Sequence, residues 1–154
     1  MIKVSVDGMG GDHAPRAVVE GAVLAAREYE MEVLIVGQKD LLEKELSRLT
    51  PIPPNVKIHH AAEVVDMGES AAKGVRKKKD SSIMVAVDLV KQKEADAIVS
   101  AGHTGAAVVA TTLSLGLLEG NDRPGIAIAY PTLNGTSVLI DIGANIDAKP
   151  EHLL

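Results

Sequence analysis

Asp7-Gly8-Met9-Gly10-Gly11-Asp12-His13-Ala14-Pro15 stands between an alternating apolar run, Ile2-Lys3-Val4-Ser5-Val6, and a helical pattern that begins near Pro15. A strand, a glycine turn and a helix start in that order make an anion site. Adjacent glycines reach positive φ, so successive N–H groups can point into one concavity. The helix behind adds unpaired first-turn N–H groups and the positive end of its dipole. Pro15 suits the first helical turn, Asp12 is placed to cap that turn, and His13 is left facing the cup. The same letters also fit a plain tight turn followed by a plain cap. They are not a dinucleotide fingerprint: position 13 is His, and no glycine follows Gly11 until Gly21. Nor is there the Gly-Lys-Ser/Thr of a nucleotide P-loop.

Outward from this loop, residues 2–6 read as a strand and 15–29 as a helix with Val18, Val19, Ala22, Val23 and Ala26 on one face. Residues 32–37 form a buried strand, 39–49 a short amphipathic helix, and 56–60 a third strand. Pro51, Pro53 and Pro54 make the stiff loop between the last two. This β-α-β-α-β order implies α/β class, with parallel strands and helical crossovers. Residues 61–81 show little regular pattern and carry the basic run Arg76-Lys77-Lys78-Lys79. Ser81 or Ser82 is expected to cap a helix over 82–93, and residues 96–100 then form a strand. That strand runs into Ala101-Gly102-His103-Thr104-Gly105 and a small-residue helix over 104–118, a second junction built like the first. Two apolar runs, 125–130 and 136–140, are joined through Asn134-Gly135, a hairpin signal that adds an antiparallel strand. A third polar glycine turn follows, Asp141-Ile142-Gly143-Ala144-Asn145.

The chain has 154 residues, 46% of them hydrophobic, enough for a domain with a real core. With no Phe, no Trp and two Tyr, that core is aliphatic, as suits buried parallel strands. The net charge of −5 and the scarcity of aromatics argue against nucleic acid. The absence of Cys removes disulfides, zinc–thiolate sites and thiol nucleophiles, and fits a reducing cytoplasm. No secretory leader and no run of transmembrane length is expected.

In an open parallel sheet, ligands bind beyond the carboxyl ends of the strands. All three polar glycine turns are expected there. They offer backbone N–H groups together with Asp7, Asp12, His13, Ser100, Thr104, Asp141 and Asn145, a set suited to phosphate and a polar or thioester carbonyl. The run 76–79 reads either as a solvated loop or as a patch for a phosphorylated carrier or acidic partner. His59 and His60 point to opposite strand faces and read as structural. His103, at a helix start, either donates a hydrogen bond or caps. The acidic residues are too scattered for a metal site.

Six stretches, in order and spanning the chain, resemble the bacterial phosphate acyltransferases of fatty acid and phospholipid synthesis, the PlsX family. They are Asp7 to Pro15, Arg76 to Ser82, Ser100 to Ala106, Asp122-Arg123-Pro124, Pro131 to Gly135, and Asp141 to Asn145 continuing through Lys149-Pro150-Glu151-His152-Leu153. The resemblance implies a three-layer α/β/α fold with a mostly parallel sheet, like that of isopropylmalate dehydrogenases and phosphotransacetylases. It implies transfer of an acyl group from acyl carrier protein to inorganic phosphate, without metal or other cofactor. It implies a cytoplasmic homodimer that touches the membrane peripherally. Relatives carry Asn where this chain has His103, often Cys where it has Ala148, and commonly Ala where it has Gly8. They are much longer, so residues 1–154 are expected to be the N-terminal portion of one acyltransferase domain, truncated at the C-terminus. The membrane-contacting helices and several catalytic groups would lie in the remainder.

For the intact enzyme the expected mechanism is direct attack of phosphate on the thioester carbonyl. Phosphate is already an anion, so positioning and oxyanion stabilisation are the main needs. Gly10, Gly11, Gly102, His103, Thr104 and Gly105 would supply N–H donors or line the cup, with Asp12, Ser100, Asp141 and Gly143 beside them. His13 would orient phosphate, the favoured role, or protonate the leaving thiolate, and Asn145 would bond phosphate or the pantetheine amide. Lys77, Lys78 and Lys79 would meet the acidic carrier. Two alternatives stand: a non-catalytic half-domain that binds phosphate or carrier, and a dehydrogenase of similar fold. A dehydrogenase would need a ribose-binding acid, a metal carboxylate cluster and a dinucleotide loop, none of which stands out in this sequence.

Overall fold

The computed structural model describes residues 1–141. They form two compact units, the first Met1–Gly116 and the second beginning at Leu117. In the first unit, the alternating apolar run becomes β1 (Ile2–Asp7), followed by α1 (Arg16–Glu28), β2 (Met31–Gly37), α2 (Lys39–Leu46) and β3 (Val56–His60). After these come α3 (Ala71–Lys77), α4 (Ser82–Lys91), β4 (Ala97–Val99) and α5 (Thr104–Leu115). The four strands make one sheet in the order β3-β2-β1-β4, and every pairing is parallel.

Alternation along the strands builds three layers. Val6, Val33 and Ile35 point to one face, where Val19, Val23 and Ala26 of α1 and Leu42 and Leu46 of α2 pack on them. Val36, Leu34 and Ile98 point to the other, against Ala86 and Leu89 of α4. There the fully buried Ser5 donates from Oγ to Ala86 O at 2.8 Å, tying β1 to α4. On that side α4 packs with α5 along Met84, Val87, Ala106 and Ala110. No helix among the described residues is long and apolar enough to cross a membrane.

Three expectations need correction. Residues 61–81 are not patternless: α3 occupies Ala71–Lys77 and buries Gly74 and Val75. The helix is short and its buried face is two residues wide, so it leaves no periodic run to read. The Asp12 cap is not made either. The α1 helix starts only at Arg16, with Pro15 at the cap position and no side-chain cap, while Asp12 is exposed. Backbone turns do that work instead, Ala14 N–H donating to Gly11 O at 3.2 Å and Ala17 N–H to His13 O at 3.1 Å. Finally, Ser81 holds the cap position of α4 without capping it, because its hydroxyl donates to Lys78 O at 2.8 Å.

In the second unit, β5 (Ala127–Thr132) and β6 (Gly135–Ile140) pair antiparallel, as the Asn-Gly signal implied. They form a two-stranded sheet. Thr132 pairs with Gly135, so the turn itself is Leu133-Asn134.

Leu42 is fully buried and lies under the carboxyl ends of β1 and β2, where a Cβ on Gly8 would come within 3.1 Å of its Cδ2. Leu42→Ala is expected to cost about 2–5 kcal/mol of unfolding free energy, measured by urea denaturation.

Candidate functional site

The chain runs β1-β2-β3 to one side, then returns through α3 and α4 to place β4 on the other side of β1. The order of strands therefore reverses between β1 and β4. In doubly wound sheets that reversal opens a crevice at the carboxyl ends. The turn after β1 and the turn after β4 are two of the three glycine turns singled out in the sequence; the third, beyond Asp141, lies outside the described residues.

They meet closely. A Cβ on Gly10 would lie 3.0 Å from Gly102 Cα, and one on Gly102 would lie 2.9 Å from Gly10 Cα. Gly11 has φ +114°, and a Cβ there would come 3.0 Å from Ala101 O. Beneath the contact, Asp7 is 4% exposed and accepts from Ser100 Oγ at 2.8 Å. Ser100 Oγ in turn accepts from Gly102 N–H at 3.1 Å. The end of β1 and the turn after β4 are thus tied by a carboxyl–hydroxyl–amide chain.

That chain uses the Gly102 N–H, so Gly102 shapes the rim rather than donating to a ligand. Gly10 N–H turns back to Asp7 O at 3.3 Å. Among the described residues, the N–H groups of Gly11, Asp12, His13, Thr104 and Gly105 carry no hydrogen bond. Two of these belong to the first turn of α5, where such groups are unpaired by construction. The first turn of α1 likewise leaves the N–H groups of Arg16 and Val18 without a hydrogen bond.

His103 is the N-cap of α5. Its Nδ1 accepts from Ala106 N–H at 3.4 Å, and its Nε2 lies 3.2 Å from Glu69 O. A ring that accepts at Nδ1 donates at Nε2, so the geometry assigns the neutral Nε2–H tautomer. Both roles weighed for His103, capping and donating, are filled within the protein. His13, by contrast, is exposed.

The basic run divides. Arg76, Lys77 and Lys79 are exposed. Lys78 turns inward: its Nζ bonds the Glu69 carboxylate, donates to Val64 O at 2.6 Å and lies 3.6 Å from Asp66 Oδ2. The Lys78 hydrogen bond, reinforced by Asp66 N–H, holds the Glu69 carboxyl well below the usual carboxylate range, at about 2. Lys78 is correspondingly raised, chiefly by Glu69. Glu69 and Lys78 were not legible as a pair, because they belong to the segment whose helix the sequence hid. Asp141 lies in the second unit with φ 63°, an uncommon conformation for a non-glycine residue, and its N–H donates to Ile126 O at 2.7 Å. Gly143, Asn145 and Ala148 lie outside the described residues. Among those described, no group of three acidic, His or Cys side chains is placed to hold a metal.

Beside the rim, an apolar groove of about 440 Å³ runs between α1 and the sheet. Its walls include Val18, Gly21, Ala22, Val4 and Val99, and it reaches Ala101 of the second turn.

Residues 2–154 match the family described as fatty acid synthesis protein. The chain is 51% identical over 154 residues to a phosphate acyltransferase of Desulfitobacterium hafniense strain Y51, covering 100% of this chain and 46% of the relative. It is 50% identical over 153 residues to that of Geobacter sulfurreducens, covering 99% and 44%. The chain thus spans less than half the length of these relatives. A phosphotransacetylase structure from Streptococcus pyogenes superposes with a TM-score of 0.68 at 25% identity, covering 99% of this chain and 50% of that one.

Two outcomes are expected. Gly10→Ala should destabilise the unit by about 1–3 kcal/mol in urea, because its methyl meets the Gly102 backbone and the buried Asp7 carboxylate that Ser100 holds. The Glu69 carboxyl should titrate near pH 2 by carbon NMR. Since its folded value is depressed, its stabilisation is complete above the ordinary glutamate pKa of about 4.3 and fades as pH falls toward 2. Lys78→Met should return the titration toward the ordinary value.

Proposed function

The chain belongs to the fatty acid synthesis protein family, and from that premise we propose that it carries the phosphate-binding half of an acyltransferase. The reaction moves a fatty acyl group from acyl carrier protein to inorganic phosphate and gives an acyl phosphate for phospholipid synthesis. One observation carries the reading: two glycine turns in backbone contact at the switch point, with unclaimed N–H groups on both. The names of the relatives, phosphate acyltransferase, support the same chemistry.

A phosphate oxygen attacks the thioester carbonyl carbon, the C–O bond forms, and the C–S bond breaks with its electrons leaving on sulfur. The phosphate proton ends on the departing thiol. N–H groups of Gly11, Asp12 and His13 on one side, and of Thr104 and Gly105 on the other, hold phosphate and the developing oxyanion. Asp12 and Ser100 line that cup, Ser100 by anchoring Asp7. The His13 side chain orients phosphate. The groove ending at Ala101 matches a fatty acyl chain in its apolar chemistry. Exposed Arg76, Lys77 and Lys79 meet the acidic carrier, while Lys78 is committed internally. Asp141, Gly143 and Asn145 contribute to the same chemistry in the intact enzyme, a cytoplasmic homodimer in peripheral contact with the membrane.

A second reading, a half-domain that binds without turnover, is favoured by the coverage of only 46% of the Desulfitobacterium relative. The assay that separates them supplies palmitoyl acyl carrier protein and phosphate and traps acyl phosphate with hydroxylamine. Phosphate-dependent hydroxamate, matched by free carrier thiol, is the expected result. Phosphate binding without product would leave only the second reading. His13→Ala should raise the KM for phosphate roughly tenfold with kcat nearly unchanged, as expected for loss of one hydrogen bond to a charged ligand.

A further inference from the structure

Asp7 lies beneath the contact of the two turns, 4% exposed, and the transfer described above gives it no contact with substrate. Its Oδ2 is used by Ser100. Its Oδ1 is buried and has no hydrogen-bond partner. No lysine or arginine among the described residues forms an ion pair with it. The backbone of both turns crowds the same carboxylate: a Cβ on Gly102 would lie 3.4 Å from Oδ2, and one on Gly10 would overlap it. A buried carboxylate oxygen left without a donor is costly, and native proteins rarely keep one without a use.

The chemistry of that oxygen narrows what can use it. A carboxylate oxygen accepts hydrogen bonds and donates none. Beside a bare oxyanion it only repels. Inorganic phosphate near neutral pH still carries at least one P–OH, whereas sulfate has the same tetrahedral shape and no proton. The terminal torsion of an aspartate is broad and two-fold, so a modest turn of the carboxyl presents Oδ1 while Ser100 keeps Oδ2.

We propose that Asp7 selects the acceptor: its free oxygen takes a hydrogen bond from the P–OH of inorganic phosphate seated at the rim that the two turns form, and the site thereby refuses sulfate. This rests on the reading of the rim as a phosphate site. During transfer, the proton held between Asp7 and phosphate is the one that finishes on the carrier thiol, so no further acid or base is required for balance.

Calorimetric titration of the chain with sodium phosphate and with sodium sulfate, at matched ionic strength and neutral pH, tests it. Phosphate should bind roughly tenfold or more tightly than sulfate, the size of one charge-assisted hydrogen bond. Asp7→Asn, whose amide can donate as well as accept, should bring the two affinities to within about threefold. Equal affinities in the unmodified chain overturn the proposal, as does discrimination that survives Asp7→Asn. Should Asp7→Asn fail to fold by circular dichroism, the ratio in the unmodified chain decides alone. No binding of either anion overturns this proposal and the phosphate reading together. Acyl phosphate formation without discrimination overturns this proposal only.

Discussion

The backbones of the two turns touch at Gly10 and Gly102, and the rest of the site depends on that contact. Neither position has room for a methyl group, since a methyl at either would fall on the other residue's Cα or on Asp7. The approach lets a residue at the end of β1 bond a residue just past the end of β4, Asp7 to Ser100 at 2.8 Å. It also fixes the two sets of unclaimed N–H groups relative to each other. A sheet in which β4 had continued outward from β3 would have separated these turns by two further strands. The reversal of strand order, brought about by the long return through α3 and α4, makes them neighbours.

Much of this fold could be read from the letters because its two central strands, β1 and β2, are deeply buried toward their carboxyl ends. Val33 to Gly37 is a short apolar run, Val56 to His60 alternates half-buried Val56 and Ile58 with exposed polar residues, and parallel crossovers need the helices found between them. Boundaries shifted where local chemistry competed. Leu49 continues the apolar stripe of α2, but the helix ends at Leu46, and Leu49 packs on the core from the loop that leads to Pro51. α3 is not legible in the sequence because a two-turn helix with Gly74 inside it has neither length nor a stripe. Its position is set by tertiary contacts, Val75 in the α4–α5 cluster and Lys78 on Glu69.

The site divides in a similar way. Glycine placement announced both turns, since close backbone approach selects the residue type itself. Side-chain roles were less legible, because a polar residue in a turn has several possible partners and only the fold selects one. Asp12 looks like a cap and is exposed, while His103 serves as cap and donor at once. Asp7 gave the weakest signal: an acidic residue ending a strand is ordinary until its neighbours are known. Its burial and its half-used carboxylate exist only once β4 has been laid beside β1.

The kind of donor at this rim bears on what it can do well. Its unclaimed groups are backbone N–H, and the nearest identified acid, Asp7, has no cationic partner among the described residues. Such a rim holds a ground-state anion less tightly than a cluster of arginines would. Backbone donors have other virtues. They are fixed by the sheet ends and by the start of α5, and in the proposed transfer they need no reorganisation as charge moves from phosphate to carbonyl oxygen. Binding the anion only moderately while favouring the arrangement in which its charge is shared is the condition under which binding energy lowers a barrier rather than a dissociation constant. A second acidic or cationic side chain in place of either glycine would give up that arrangement, because the donors on the two turns stay aligned only while Gly10 and Gly102 remain in contact.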